Sequence, residues 1–362
     1  MITQKLVSST LLESFANQIF LKMGVPALDA ALAASVLIKA DLRGIDSHGM
    51  ARLSGYVRLW EKKRINSDPK WRIEYESPST ASLNGDGGLG LVIGPKAMEI
   101  AIEKAKNCGS GWVAVKNSNH FGIAAFHAMM ALPYDMIGIA MTNASPLVAP
   151  ALSIERMLGT NPMCYVFPAG SENPVVVDMA TSAAANGKLE LAQYLNKPIP
   201  DGWAQDKEGN PSVDPFELKK GGSLLPLGGD RDHGSHKGYA LGAVVDIFSG
   251  VLSGANFGPW VPPFVSFLDP DPNPVGLGLG HFFGALRVDG FRPVGEFKKS
   301  MDTWIKRFKQ AKPAGGQEKV IIPGEPELEI EKHRSTYGIP LMDSILNDLN
   351  ALSKTFAVPT QF

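Results

Sequence analysis

Gly85-Asp86-Gly87-Gly88-Leu89-Gly90 fits the pattern G-x-G-x-x-G, and the meaning given to it decides the fold. Thr80-Ala81-Ser82-Leu83-Asn84 before it is strand-like. Residues 94–107 after it read as a helix with Met98, Ala101, Ile102 and Ala105 on the apolar face. Pro95 is tolerable in an opening turn. That context is formally the dinucleotide fingerprint of a doubly wound sheet, which also needs a carboxylate about 20 residues on, to take a ribose hydroxyl. Here the next strand, 111–115, ends in Lys116-Asn117-Ser118. With no acid for the ribose, the six residues read as a glycine-rich turn.

Working outward, 136–141, 163–167 and 175–178 read as short strands, and 120–131 and 181–195 as helical stretches, an alternation that argues for an α/β domain. Residues 196–235 are loop-rich, and 238–252 reads as a buried helix. A Gly/Pro tract then runs over 254–280, including Phe257-Gly258-Pro259-Trp260-Val261-Pro262-Pro263. A loop of that length serves as a lid, a binding loop or a subunit contact. A strand at 282–288 and helices at 294–309 and 341–355 complete the chain. Upstream, one helix runs through Met23 and an Ala-rich one covers 27–40. A third covers 48–63, with Leu53, Tyr56, Val57 and Trp60 on one stripe.

The 362 residues, 44% hydrophobic, are enough for a large core and for two domains. A formal net charge of -1 leaves no basic footprint for nucleic acid. No run of about 18 apolar residues is present to span a membrane. Met1-Ile2-Thr3-Gln4-Lys5 leads into an amphipathic helix pattern, unlike a signal peptide. Cys108 and Cys164 make a poor disulfide framework and fit a reducing interior, so the chain reads as cytoplasmic.

Arg43-Gly44-Ile45-Asp46-Ser47-His48-Gly49-Met50-Ala51-Arg52 links the second and third helices. Gly44 would end one, and Asp46 or Ser47 would cap the next, leaving unpaired N–H groups that suit an anion. His48 can exchange a proton near neutral pH, and Arg52 lies one turn along the same face. Together they suit a substrate that carries a carboxylate and gains or loses a proton. The same residues also make an ordinary solvated cap. Asn117-Ser118-Asn119-His120-Phe121-Gly122 is a second polar turn, whose histidine is either a satisfied turn residue or another proton-transfer group.

Two small-residue loops, 141–146 and 158–162, lie beside strands where α/β folds collect ligands. Val177-Asp178-Met179-Ala180-Thr181-Ser182 puts a carboxylate at a strand end, able to hold a ribose or a histidine, or to cap a helix. His233-Gly234-Ser235-His236-Lys237-Gly238-Tyr239 contains H-x-x-H, but the spacing is not that of a zincin helix, so no metal site is expected. Lys237, before Gly238 at a helix front, is better read as a phosphate contact. Neither a P-loop nor a nucleophile elbow occurs.

Several of these segments together resemble the malate/L-lactate dehydrogenase family of the non-Rossmann type, which also contains ureidoglycolate, sulfolactate and diketogulonate oxidoreductases and cyclic-imine reductases. The residues carrying the resemblance are Arg43 to Gly49 with Arg52, Asn119-His120-Phe121-Gly122, Gly159-Thr160-Asn161-Pro162, Asp178-Met179-Ala180, His236-Lys237-Gly238-Tyr239, Gly280-His281-Phe282-Phe283 and Pro323-Gly324-Glu325, in the family's order. The resemblance as a whole spans about residues 5–345.

The resemblance implies a mixed-sheet, non-Rossmann α/β domain that binds NAD or NADP, joined to a helical domain built from both chain ends. On this reading 1–75 is the N-terminal helical part. Residues 76–299 bind cofactor and substrate, and 300–362 pack back on the N-terminal part. The implied activity is hydride transfer between a nicotinamide cofactor and a small 2-hydroxy or 2-oxo acid, of malate or lactate type. The alternatives are reduction of a cyclic imino acid such as piperideine-2-carboxylate, and an inactive cofactor-binding regulatory protein.

The implied proton-transfer residue is His48 or His120, with Ser47 steadying the His48 ring. Arg52 would clamp the substrate carboxylate, and Thr160 would join it in the substrate site. Asp178, Met179, Ala180, Thr181, Ser182, Lys237, Gly238, Gly324 and Glu325 would contact the cofactor. The family also implies a homodimer with the active site near the subunit interface. Ureidoglycolate-type members carry a further Arg one turn after Arg52, where this chain has Tyr56.

Overall fold

The computed structural model describes residues 4–362; Met1, Ile2 and Thr3, from the stretch read for a signal peptide, lie outside the described residues. The N-terminal part is β1 (Gln4–Val7), α1 (Ser9–Lys22), α2 (Ala27–Leu42) and α3 (Leu53–Glu61). There follow β2 (Arg72–Glu76), β3 (Thr80–Asn84), α4 (Gly90–Cys108), β4 (Ser110–Ser118), α5 (Ala124–Met129), β5 (Met136–Thr142), β6 (Met163–Phe167) and β7 (Val175–Met179). After α6 (Asn186–Tyr194), the strands β8 (Ala204–Gln205), β9 (Pro211–Ser212) and β10 (Ser223–Leu224) form a three-stranded sheet. Then come α7 (Ser235–Asp246), β11 (Leu279–Arg287), α8 (Val294–Lys309), α9 (Glu325–Tyr337), β12 (Ile339–Met342) and α10 (Asp343–Phe356).

Seven strands form the main sheet in the order β2-β3-β4-β11-β5-β6-β7. Only β3 and β4 pair in parallel, joined by α4; every other neighbour is antiparallel. The α/β, mixed-sheet reading therefore holds, and a doubly wound sheet is excluded.

The glycine turn explains why its motif misleads. Asn119 Nδ2 donates to the carbonyls of Gly87 (2.8 Å) and Gly88 (3.0 Å). A Cβ on Gly90 would lie 2.0 Å from the Asn119 carbonyl oxygen and 2.6 Å from that of His120. The turn is packed against the His120 loop, so its glycines allow backbone contact where a phosphate would need open space.

One face of the sheet buries Leu83, Val113, Val115, Cys164 and Phe283 against Ile93, Ala97, Ala101, Ala124 and Ala128 of α4 and α5. Close approach is required here: a Cβ on Gly111 would meet the Ala101 carbonyl at 1.9 Å. The helical domain is a separate cluster made by both chain ends. It joins Leu12, Phe15, Ile19 and Phe20 of α1 and Leu37 of α2 to Ile339, Leu341, Ile345 and Leu349. β1 pairs antiparallel with β12, Val7 opposite Ile339. α8 lies elsewhere, packing Ile305 with Val175 of β7.

Four sequence expectations need correction. The helix expected over 48–63 begins only at Leu53, because two 3-10 turns occupy Asp46–His48 and Met50–Arg52. The helix expected over 120–131 shrinks to α5, because Gly122 takes φ +80 and breaks the run. Residues 181–185 precede α6 in irregular backbone. The helix at 238–252 exists, as α7 continued by a π-helical turn, but it is not buried: Tyr239, Leu241, Val244, Ile247, Phe248, Val251 and Leu252 are exposed.

Candidate active site

The segment 43–52 is held in shape by its flanks. Gly44 turns the chain at φ +79 after α2, and buried Asp41 accepts the Met50 N–H at 2.7 Å. A Cβ on Gly49 would fall 2.0 Å from Asp41 Oδ1, so glycine alone fits there. Burial pushes the Asp41 carboxyl up to about 8, so it is largely protonated at neutral pH. Arg334 of α9 donates to the Asp41 carbonyl (2.5 Å) and grips both oxygens of Asp46.

This frame brings the sequence-predicted proton-transfer residues together. The His48 and His120 rings stack with centroids 5.5 Å apart. Ser47 Oγ lies 2.9 Å from His48 Nδ1, and the Tyr56 hydroxyl lies 2.6 Å from His120 Nδ1. The Gly122 N–H also points at His120 Nδ1, at 3.4 Å. An amide N–H can only donate, so Nδ1 of His120 accepts, Tyr56 donates to it, and the ring proton sits on Nε2. The Ser47 hydroxyl can donate or accept, so His48 is free to hold Nδ1–H and present a bare Nε2. Burial, then the Arg52 charge, lowers the His48 pKa to about 3. Burial first, then His48 and Arg52, holds His120 well below its usual value. Both rings are neutral.

Arg52 donates from Nε to the Ser47 carbonyl (2.5 Å) and from Nη2 to Glu190 of α6 (3.0 Å). Gly187 lets α6 approach, since a Cβ there would meet Ser47 Cβ at 2.5 Å and Arg52 Nη2 at 3.3 Å. Beside Arg52 opens a cavity of about 140 Å³ between α3, α6 and residues 264–267 of the Gly/Pro tract. Phe264 closes it on the histidine side, its ring 4.8 Å from His120 and 5.2 Å from Tyr56.

The sequence-predicted cofactor residues divide into groups. Asp178, Met179 and Gly324 line one cleft of about 280 Å³ with Arg43, Ile45, Ala125 and Glu327. Asp178 accepts the Ala125 N–H at 2.9 Å, so it caps α5 and bonds to no histidine among the described residues; burial pushes its carboxyl up to about 6. Ala180 follows at the end of β7, half-buried. Thr181 is buried and ties back to the Thr160 and Asn161 carbonyls (3.2 and 3.0 Å), which joins Thr160 to this strand end. Ser182 is buried and donates to the Ala184 carbonyl (2.8 Å). Gly238 abuts Leu227, where a Cβ would meet the carbonyl at 2.2 Å, and Lys237 beside it is exposed. Glu325 turns away from the cleft, accepting the Ile322 N–H (3.2 Å) and facing Lys309 (3.5 Å) and Lys319 (3.9 Å).

The nicotinamide cofactor implied by the resemblance fits this cleft on two counts. Its wall is mainly apolar with a few carboxylates, and the buried Nε of Arg43 has no hydrogen-bond partner, a donor left for a ligand. Among the described residues no group of three or more His, Cys, Asp or Glu is placed to hold a metal ion. Sequence reading missed the catalytic-side contacts of Tyr56, Phe264 and Glu190. Tyr56 carried a signal, a hydroxyl on an otherwise apolar stripe; Phe264 and Glu190 carried none, because they arrive from distant segments.

The sequence pattern of the malate/L-lactate dehydrogenase family matches residues 7–350. The malate dehydrogenase of Pyrococcus horikoshii is 42% identical over 346 residues, covering 95% of this chain and 94% of that one. The L-sulfolactate dehydrogenase of Methanocaldococcus jannaschii is 39% identical over 331 residues, 91% of each chain. The crystal structure of malate dehydrogenase from Entamoeba histolytica superposes with a TM-score of 0.92 at 36% identity, covering 99% of this chain and all (100%) of that one. Likeness in sequence and in fold extends over nearly the whole length, and the chain belongs to the malate/L-lactate dehydrogenase family.

Proposed function

We propose that this protein is a nicotinamide-dependent 2-hydroxy acid dehydrogenase of the malate type, with His48 as its acid/base. The observation that carries the reading is the stacked pair His48 and His120, with Arg52 bonded to the Ser47 carbonyl at the same corner. A bound nicotinamide exchanges hydride with the substrate carbon; the remaining work falls to the chain. Arg52 exchanges Glu190 for the substrate carboxylate and so orients the 2-hydroxyl. His48 Nε2 takes the hydroxyl proton while its Nδ1–H is held by Ser47, and His120 Nε2–H steadies the substrate oxygen. Burial is the larger cause that keeps His48 neutral and the Arg52 charge adds to it; the substrate carboxylate offsets that second part, so binding raises the basicity of His48. In reduction the same groups run in reverse.

Asp178, Met179, Ala180, Thr181, Ser182, Lys237, Gly238 and Gly324 are proposed cofactor contacts, and Thr160 a substrate contact. Glu325 is engaged with its own helix start and lysines, which leaves Glu327 the better placed carboxylate in the cleft. The exposed apolar stripe of Tyr239, Leu241, Val244, Ile247 and Val251 supports a homodimer. Two free cysteines support residence in the cytoplasm.

The test is absorbance of the reduced cofactor with malate, lactate, sulfolactate and ureidoglycolate, each with NAD and NADP. His48→Asn is expected to lower turnover by about 10²–10⁴ with cofactor binding intact. Wild-type turnover in both His48→Asn and His120→Asn would refute the assignment.

A further inference from the structure

Arg52 is one of two guanidiniums lining the cavity of about 140 Å³; the other is Arg58, in the last turn of α3. Arg58 donates to the Phe264 carbonyl and lies 5.9 Å from the centre of the Phe264 ring. The same ring packs against His120, with centroids 4.8 Å apart, so Phe264 touches both Arg58 and the histidine pair. Six residues of helix put about 9 Å of rise between the two arginine backbones. Both side chains nonetheless reach the wall of the one cavity.

The charge balance of the cavity is uneven. Arg52 has Glu190 as counter-ion at 3.0 Å, whereas Arg58 and Lys219, the third cation on the wall, have no carboxylate within ion-pair distance among the described residues; Lys219 donates to Gln193 (2.8 Å). Burial and the neighbouring Arg52 charge both disfavour the protonated form of Arg58, the mark of a cation short of an anion. A second cavity of about 340 Å³ shares Arg58, Val265 and Ser266 with the first and adds Lys62 and Arg64, facing only Asp269. Cations thus run along α3 and just beyond it toward Arg52, an arrangement that concentrates anions.

We infer that Arg58 reads the far end of the substrate, binding a second anionic group, carboxylate or sulfonate, beyond the reacting carbon while Arg52 binds the first. This rests on the function proposed above and makes the enzyme selective for dianions over monoanionic acids such as lactate. A monoanion leaves Arg58 unpaired in a half-buried site, and a charge-assisted bond forfeited there is worth about 10²-fold in kcat/KM.

The experiment compares kcat/KM for malate, sulfolactate and lactate in wild type, Arg58→Gln and Arg58→Lys. Wild type is expected to favour the dianions by about 10²-fold. In Arg58→Gln that preference collapses, because the dianions lose about 10²-fold while lactate holds within about threefold, and Arg58→Lys falls between. An unchanged ratio, or an equal fall for all substrates, overturns the inference and makes Arg58 a clasp for the Phe264 loop. A readout without turnover is the rise in melting temperature with succinate against propionate. Succinate is expected to stabilise wild type more, and equal shifts overturn the inference even if Arg58→Gln fails to fold. A wild type that oxidises no 2-hydroxy acid defeats the proposed function, while an active wild type without dianion preference defeats only this step.

Discussion

Tyr56→Phe removes one oxygen and little else. The Tyr56 ring is fully buried, edge-on to Phe20 (6.3 Å) and to Phe264 (5.2 Å), and phenylalanine keeps both contacts. What is lost is the 2.6 Å bond to His120 Nδ1, leaving that buried nitrogen only the Gly122 amide at 3.4 Å. An acceptor stripped of its main partner costs about 1–3 kcal/mol. If that cost is felt where His120 steadies the substrate oxygen, kcat falls by roughly 5- to 150-fold. The Tyr56 hydroxyl also fixes the ring proton on Nε2. Without it His120 can flip tautomer and present a bare nitrogen, which cannot donate to the substrate oxygen. Steady-state kinetics in both directions, with a cofactor titration and a melting curve, make the assay. The expected result is a lower kcat with unchanged cofactor affinity and a melting temperature lowered by a few degrees. A kcat within about twofold of wild type would refute the tautomer argument.

Two further substitutions probe the frame around the histidines. Gly187→Ala puts a methyl 2.5 Å from Ser47 Cβ, so Ser47, Arg52 or the start of α6 must move. A misplacement of about 1 Å costs on the order of 10² in kcat/KM, with cofactor affinity untouched, and unaltered kinetics would show that α6 yields freely. Asp41→Asn mimics the protonated carboxyl. The folded-state pKa of Asp41, about 8, lies above the unfolded value of 3.8. Between those values the native state holds a proton that the unfolded chain has released, so wild-type stability falls as pH rises, by about 1.4 kcal/mol per pH unit. Urea unfolding at pH 5 and 7 should therefore show the variant gaining about 2–3 kcal/mol on wild type over that step. A constant difference would mean that Asp41 is ionised in the folded protein.

How much of this was legible follows from where each signal lies along the chain. The glycine turn could be judged because its missing carboxylate is a local fact, readable at Lys116-Asn117-Ser118. The pairing of Ser47, His48 and Arg52 was legible for the same reason, although Gly49 and the Asp41 carboxyl turn the expected helix into two 3-10 turns. β1 and β12 were invisible: each has four residues, and each is a strand only because the other, more than 300 residues away, completes its hydrogen bonds. α9 went unread because it buries no residue fully and so shows little apolar period. Its start was nonetheless written in Gly324, Pro326 and the acidic pair Glu325 and Glu327.

The site divides along the same line. Its chemistry comes from residues that announce themselves by type, whereas its selectivity comes from Phe264, Arg58 and Glu190, brought together from the Gly/Pro tract, α3 and α6. Nothing in the sequence singles out Arg58. Only the fold sets the Phe264 carbonyl on its guanidinium and leaves its positive charge without a counter-ion, and it is that surplus charge which gives the pocket a preference among acids.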